Sequence, residues 1–123
     1  MDEKPSILVV DDKLGIDTYF KEFAADQGFN VRIANSTEEA MKEIATDPPE
    51  LVVADVNKLH DSKRLIDLVE KFDTPLIWAS KFKDINFEDL PRIARILNKP
   101  FRTIDLKYAI RSEFSKYNKS IPL

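Results

Sequence analysis

Ile7-Leu8-Val9-Val10-Asp11-Asp12 is the stretch that decides how this chain folds. Four apolar residues stand in a row, three of them β-branched, with no polar side to turn toward water. A strand of that kind is covered on both faces, and the change to two carboxylates marks where it leaves the core. The pattern returns along the chain. Leu51-Val52-Val53-Ala54 ends at Asp55, Leu76-Ile77-Trp78-Ala79 ends at Ser80, and Ile93 to Leu97 ends at Asn98-Lys99-Pro100. Phe29-Asn30-Val31-Arg32-Ile33 alternates with the period of two expected of a strand.

Helical spacing fills the intervals. From Gly15 to Gln27, Ile16, Tyr19, Phe20, Phe23 and Ala24 share a face, and Gly28 is a left-handed stop. Ser36-Thr37-Glu38-Glu39 is a capping box. It opens a helix carrying Ala40, Met41, Ile44 and Ala45 that halts before Pro48-Pro49. Ser62 to Phe72 places Leu65, Ile66, Leu68, Val69 and Phe72 together, and a last helix from about Thr103 presents Leu106, Ile110, Phe114 and Tyr117. Residues 81–91 are less regular; Asn86-Phe87-Glu88-Asp89 can cap a short turn that Pro91 ends. Strand and helix thus alternate five times, which calls for a parallel sheet clothed on both faces.

Composition narrows the chemistry. With 123 residues the chain is one domain by size. It has no cysteine, so disulfides, thiolate catalysis and cysteine metal sites are excluded, and His60 alone cannot build a histidine cluster. No apolar run approaches a membrane span, and Met-Asp-Glu-Lys opens no secretory signal, so the expectation is a cytoplasmic protein without membrane insertion. The net charge of -3 and pI near 5.2 argue against direct nucleic-acid binding. That net hides an asymmetry. Residues 1–61 hold 6 Lys/Arg against 14 Asp/Glu, a net of -8, and residues 62–123 hold 13 against 8, a net of +5.

In an open α/β sheet, ligands bind beyond the carboxyl ends of the strands. Those ends bring forward Asp11 and Asp12, Asp55, Ser80 and Lys99. Three carboxylates gathered in a crevice repel one another, and a hard divalent cation such as Mg2+, which takes oxygen ligands, relieves this. Lys99 offers a compact cation and Ser80 a hydroxyl donor to a bound anion. The set suits a carboxylate that attacks a phosphoryl group.

On these residues the chain resembles the receiver domains of two-component response regulators, the CheY-like family, from about Ser6 to Tyr117. The acidic pair closes the family's first strand. Gly28-Phe29-Asn30-Val31 with Ala34, and Glu39-Ala40, match its second strand and helix. Leu51 to Asp55 matches the strand of the phospho-acceptor, Thr74 to Ser80 the fourth strand and its hydroxyl, and Lys99-Pro100-Phe101 the lysine with its proline. The resemblance implies a doubly wound, flavodoxin-like α/β fold in strand order 2-1-3-4-5, as one domain over 1–123 with no effector domain. It implies that Asp55 accepts a phosphoryl group from a sensor histidine kinase or phosphotransfer protein. Asp11, Asp12, Asp55 and the backbone carbonyl of Asn57 would hold Mg2+, and Ser80 and Lys99 would bind phosphoryl oxygens. Output would go to a downstream protein partner, and the chain would not be an enzyme.

The departures are specific. The stretch Val56 to Asp61 lacks the family's proline and glycine, Lys81 replaces a small residue, and Ile96 replaces the switch aromatic. The spacing from Asp55 to Ser80 and from Ser80 to Lys99 is short, which implies a trimmed or irregular helix between the fourth and fifth strands. These features favour an alternative, a phosphorylation-independent pseudo-receiver that acts as an interaction module. Its surface would be the last helix with Lys107, Arg111, Lys116 and Lys119. A magnesium-dependent phosphatase with an aspartyl nucleophile needs a general acid two residues on, and Asn57 cannot serve as one.

Overall fold

The computed structural model describes residues 5–11, 28–55, 59–80, 95–98 and 102–116, without the side chains of 59–62, 80, 98, 103, 115 and 116. The strands are β1 (Ser6–Asp11), β2 (Asn30–Ala34), β3 (Leu51–Asp55), β4 (Leu76–Ser80) and β5 (Arg95–Asn98). The described helices are α1 (Thr37–Thr46), α2 (Leu59–Lys71) and α3 (Thr103–Lys116). All four strand pairings are parallel, and the sheet runs β2-β1-β3-β4-β5. This is the α/β, doubly wound order that the resemblance implied. Among the described residues no helix is long and apolar enough to cross a membrane.

The uninterrupted apolar blocks have the burial they require. Ile7 to Val10 and Leu51 to Ala54 are closed to solvent at every position, so both faces of the sheet centre are covered. On one face Ile7, Val9, Leu51, Val53, Ile77, Ala79 and Leu97 pack with Leu106, Ala109, Ile110 and Phe114 of α3. On the other, Leu8, Val10, Val52, Ala54, Leu76 and Trp78 pack with Ala40 and Ile44 of α1 and Leu65, Ile66 and Val69 of α2. Each fully buried aliphatic side chain contributes about 1.5–3 kcal/mol relative to exposure.

Local chemistry sets the ends of the elements. Ser36 is the N-cap of α1, and its Oγ accepts the Glu39 N–H at 3.1 Å. The return bond of the capping box is displaced by one residue: the Glu39 carboxylate accepts the Asn35 N–H at 3.4 Å. The last turn of α1 holds no basic residue. Arg32 of β2 takes that role, donating to the Asp47 carbonyl at 2.6 Å and to Glu43 Oε2 at 2.7 Å. At the far end of the sheet, Arg95 of β5 donates to Ser112 Oγ at 2.7 Å and reaches the buried Glu113 at 3.4 Å, which ties α3 to the edge strand.

Several boundaries differ from the sequence expectation. α2 begins at Leu59, three residues before Ser62, because a stretch without proline or glycine offers nothing to break it. β2 is shifted one residue onward, and Phe29 sits buried just before it, stacked on Phe114 with ring centroids 5.7 Å apart. Ala45 faces solvent rather than the core. The described part of the last strand starts at Arg95. Gly28 has φ 82°, the left-handed conformation expected of it. The helix it was expected to close, the short helical turn in 81–91, and Tyr117 lie outside the described residues.

Candidate functional site at the carboxyl edge

Asp11 and Asp55 are the last residues of β1 and β3, and the register pairs them directly. Neighbouring strands lie about 4.8 Å apart, so the two backbones hold these carboxylates side by side. Strand alternation sets both on the face of Ile7, Val9, Leu51 and Val53. Asp11 is fully buried and Asp55 is 6% exposed. Two adjacent buried carboxylates cost solvation and repel each other, a cost that apolar side chains at the same positions would not incur.

The other strand ends lie on the same edge, since every strand is parallel. β4 ends at Ser80, and the register pairs Ser80 with Asn98, the last residue of β5. The pairing of Ala54 with Trp78 carries β4 one step further than β3, so Ser80 stands just beyond the level of Asp55. The structure therefore brings together Asp11, Asp55 and the backbone of Ser80. Lys99 follows Asn98 directly in the chain; Lys99, Asp12 and Asn57 lie outside the described residues.

The donor set fits a magnesium ion. Asp11 and Asp55 supply only oxygen, and magnesium is commonly held by one or two carboxylates with waters completing its octahedron. No third His, Cys, Asp or Glu joins them in a metal-binding group among the described residues.

Behind the site is a feature that the sequence reading treated as core alone. Trp78, 4% exposed, is in register with Ala54 on one side and Ile96 on the other. Ala54 and Trp78 belong to the sheet face opposite Asp11 and Asp55, so the single tryptophan lies behind the site, across the sheet. The signal was present in the sequence: a lone Trp two residues before the strand-ending Ser80. Ile96 is partly buried and packs against the cluster that contains Trp78.

No protein-family model and no curated protein matches the sequence. Solved structures do match. A CheY-like response regulator receiver domain protein from Methanospirillum hungatei superposes with TM-score 0.81 at 20% identity, over 93% of this chain and 96% of that one. The signal receiver domain of an HD domain-containing protein from Pseudomonas fluorescens gives 0.79 at 19%, over 96% and 100%. A Francisella response regulator receiver domain gives 0.77 at 23%, over 93% and 99%. The likeness is one of architecture: the five-stranded sheet in order β2-β1-β3-β4-β5 with Asp11 and Asp55 at its carboxyl edge has the fold of CheY-like receiver domains.

Proposed function

We propose that this chain is a receiver of two-component signalling in the cytoplasm. Asp55 accepts a phosphoryl group from the histidine of a sensor kinase or phosphotransfer protein, and a downstream protein reads the change. The observation that carries this reading is the in-register pair of buried carboxylates at the edge of a receiver-type sheet.

In the transfer, a carboxylate oxygen of Asp55 forms the new O–P bond as the donor's P–N bond breaks. The electron pair of that bond returns to the imidazole. Asp55 is nearly shielded from solvent, with 6% of its surface exposed. Asp11, Asp12, Asp55 and the Asn57 carbonyl are the groups to hold Mg2+, which supplies positive charge against the phosphoryl oxygens. Ser80, ending its strand one step past Asp55, donates a hydrogen bond to a phosphoryl oxygen, and Lys99 pairs with another. The chain turns over no substrate, so it acts as a switch rather than an enzyme.

Intact-mass analysis after incubation with acetyl phosphate and magnesium tests the proposal. The wild type gains the mass of one phosphoryl group, and Asp55→Asn or chelation of magnesium removes the gain. A folded wild type that takes up no phosphoryl group overturns it, as does equal uptake by Asp55→Asn. That negative result is the one expected of a phosphorylation-independent interaction module. Ile96, an aliphatic side chain packed near Trp78 where the family has a polar-tipped ring, favours that second reading.

A further inference from the structure

β5 is the least secured strand of the sheet. It is four residues long, ends the strand order and, among the described residues, is laddered to β4 alone. The register sets Ile77 opposite Arg95, Trp78 opposite Ile96, Ala79 opposite Leu97 and Ser80 opposite Asn98. A slip by one residue would exchange the two faces, and their burial opposes it. A slip by two keeps the faces. The sequence offers such a slip, because its alternate positions read Ile93, Arg95, Leu97, apolar on either side of the arginine.

Arg95 is the residue that tells these registers apart. It donates to Ser112 Oγ at 2.7 Å and reaches Glu113 Oε2 at 3.4 Å. Glu113 is 1% exposed and gives up its hydration for this arrangement. A buried ion pair adds little net stability over apolar side chains of similar volume; its best-attested use is to select one register over its near neighbours. With β5 displaced by two, Ala79 would face Arg95 and Ser80 would face Ile96. The guanidinium would then take the place of Leu97, which is 7% exposed, and Glu113 would remain buried apart from it. Both consequences are costly. A slip in the other direction would put Asn98 and Lys99 in the places of Ile96 and Leu97, which their polarity already opposes.

We infer that Arg95 and Glu113 form a register lock on β5. They are positioning residues: by fixing which residue of the edge strand stands opposite Ser80, they fix where the strand hands the chain on to Lys99. The displaced register would carry that point roughly 7 Å further past the edge of the sheet. What concerns Lys99 rests on the phosphoryl-transfer reading; the lock itself does not.

The test is the double variant Arg95→Leu with Glu113→Leu, which makes the alternate positions uniformly apolar. Nuclear Overhauser contacts between β4 and β5 report the register, and intact-mass time courses with acetyl phosphate and magnesium report phosphoryl uptake. The wild type is expected to show one register, with Trp78 against Ile96 and Ser80 against Asn98. The double variant is expected to keep or raise its urea midpoint, as apolar replacements of buried ion pairs do. It is nonetheless expected to show a second set of contacts displaced by two residues. Its uptake is expected to slow by about tenfold or more, since misplacement by about 1 Å can cost on the order of a hundredfold. A double variant with a single register, or with the wild-type uptake rate, overturns the inference; a lowered midpoint with a single register marks a pair that only holds the fold together. If that variant does not fold, Arg95→Leu with Glu113→Gln removes both charges at nearer the wild-type volume and is read by the same outcomes. A wild type that takes up no phosphoryl group overturns the phosphoryl-transfer reading and the claim on Lys99 with it, and the register contacts then decide the lock by themselves.

Discussion

Asp73 occupies a backbone conformation that its side chain does not favour. Its φ is 55°, and it is the only non-glycine residue with positive φ among those described. The cause is the stop of α2. The Thr74 N–H bonds the Val69 carbonyl at 2.9 Å and the Asp73 N–H bonds the Glu70 carbonyl at 3.1 Å, the paired bonds of a Schellman close that put Asp73 at C′. Two small costs coincide there. A residue with a Cβ is less content than glycine in the left-handed region, and a carboxylate at the negative end of a helix is the wrong sign. Asp73→Gly is therefore expected to raise stability by up to about 1 kcal/mol. In urea unfolding this appears as a higher midpoint at unchanged slope; a lower midpoint would refute it. The sequence hid this site because Lys71-Phe72-Asp73-Thr74-Pro75 carries no glycine to announce a left-handed stop.

At the scale of the element, α3 begins without an N-cap acceptor. Arg102 precedes Thr103, and it is Asp105 that closes the end, its carboxylate accepting the Arg102 N–H at 2.9 Å. Its other oxygen meets the guanidinium at 3.3 Å. These contacts, the backbone hydrogen bond first and the side-chain bond second, hold the Asp105 carboxyl below its ordinary 3.8. The sign follows from linkage. A depressed folded value means the contact stabilises fully above the ordinary value and is lost as pH falls through the lower one. The stability gap between wild type and Asp105→Ala should thus be constant from neutral pH to about pH 5 and shrink below 3.8. Denaturant midpoints across that range check it, and a gap that stays constant into strong acid would count against it. Half a capping box is harder to read than the whole motif at Ser36, which is why the sequence located the start of α3 near Thr103 without its cause. α2 carries the opposite lesson. The absence of proline and glycine after Asp55 was visible, and its consequence is a helix that starts earlier.

At the scale of the molecule, the legible part and the hidden part have separate physical origins. Strand identity and the parallel class were readable because central strands buried on both faces allow no polar alternation, so Ile7 to Val10 and Leu51 to Ala54 declare themselves. The pairing of Asp11 with Asp55 was legible only through the strand order that the family resemblance implied, since it needs β1 beside β3. Long-range side-chain choices were not readable: Arg32 capping α1, Arg95 tying Glu113, and Trp78 beside Ile96 each join residues whose nearness only the sheet order creates. The same sheet order makes a last prediction about the whole fold. If the carboxyl edge is a magnesium site, the ion binds the folded chain and not the unfolded one, where Asp11 and Asp55 are 44 positions apart in sequence. Stability then rises by RT ln(1 + [Mg]/Kd), about 1.4 kcal/mol at tenfold over Kd. Thermal melts of the wild type should shift upward with magnesium chloride but not with sodium chloride of equal ionic strength, and Asp11→Asn with Asp55→Asn should erase the shift. A melt that responds equally to both salts, or a magnesium gain that survives in the double variant, would move the ion away from this edge and remove the electrostatic basis for phosphoryl transfer to Asp55.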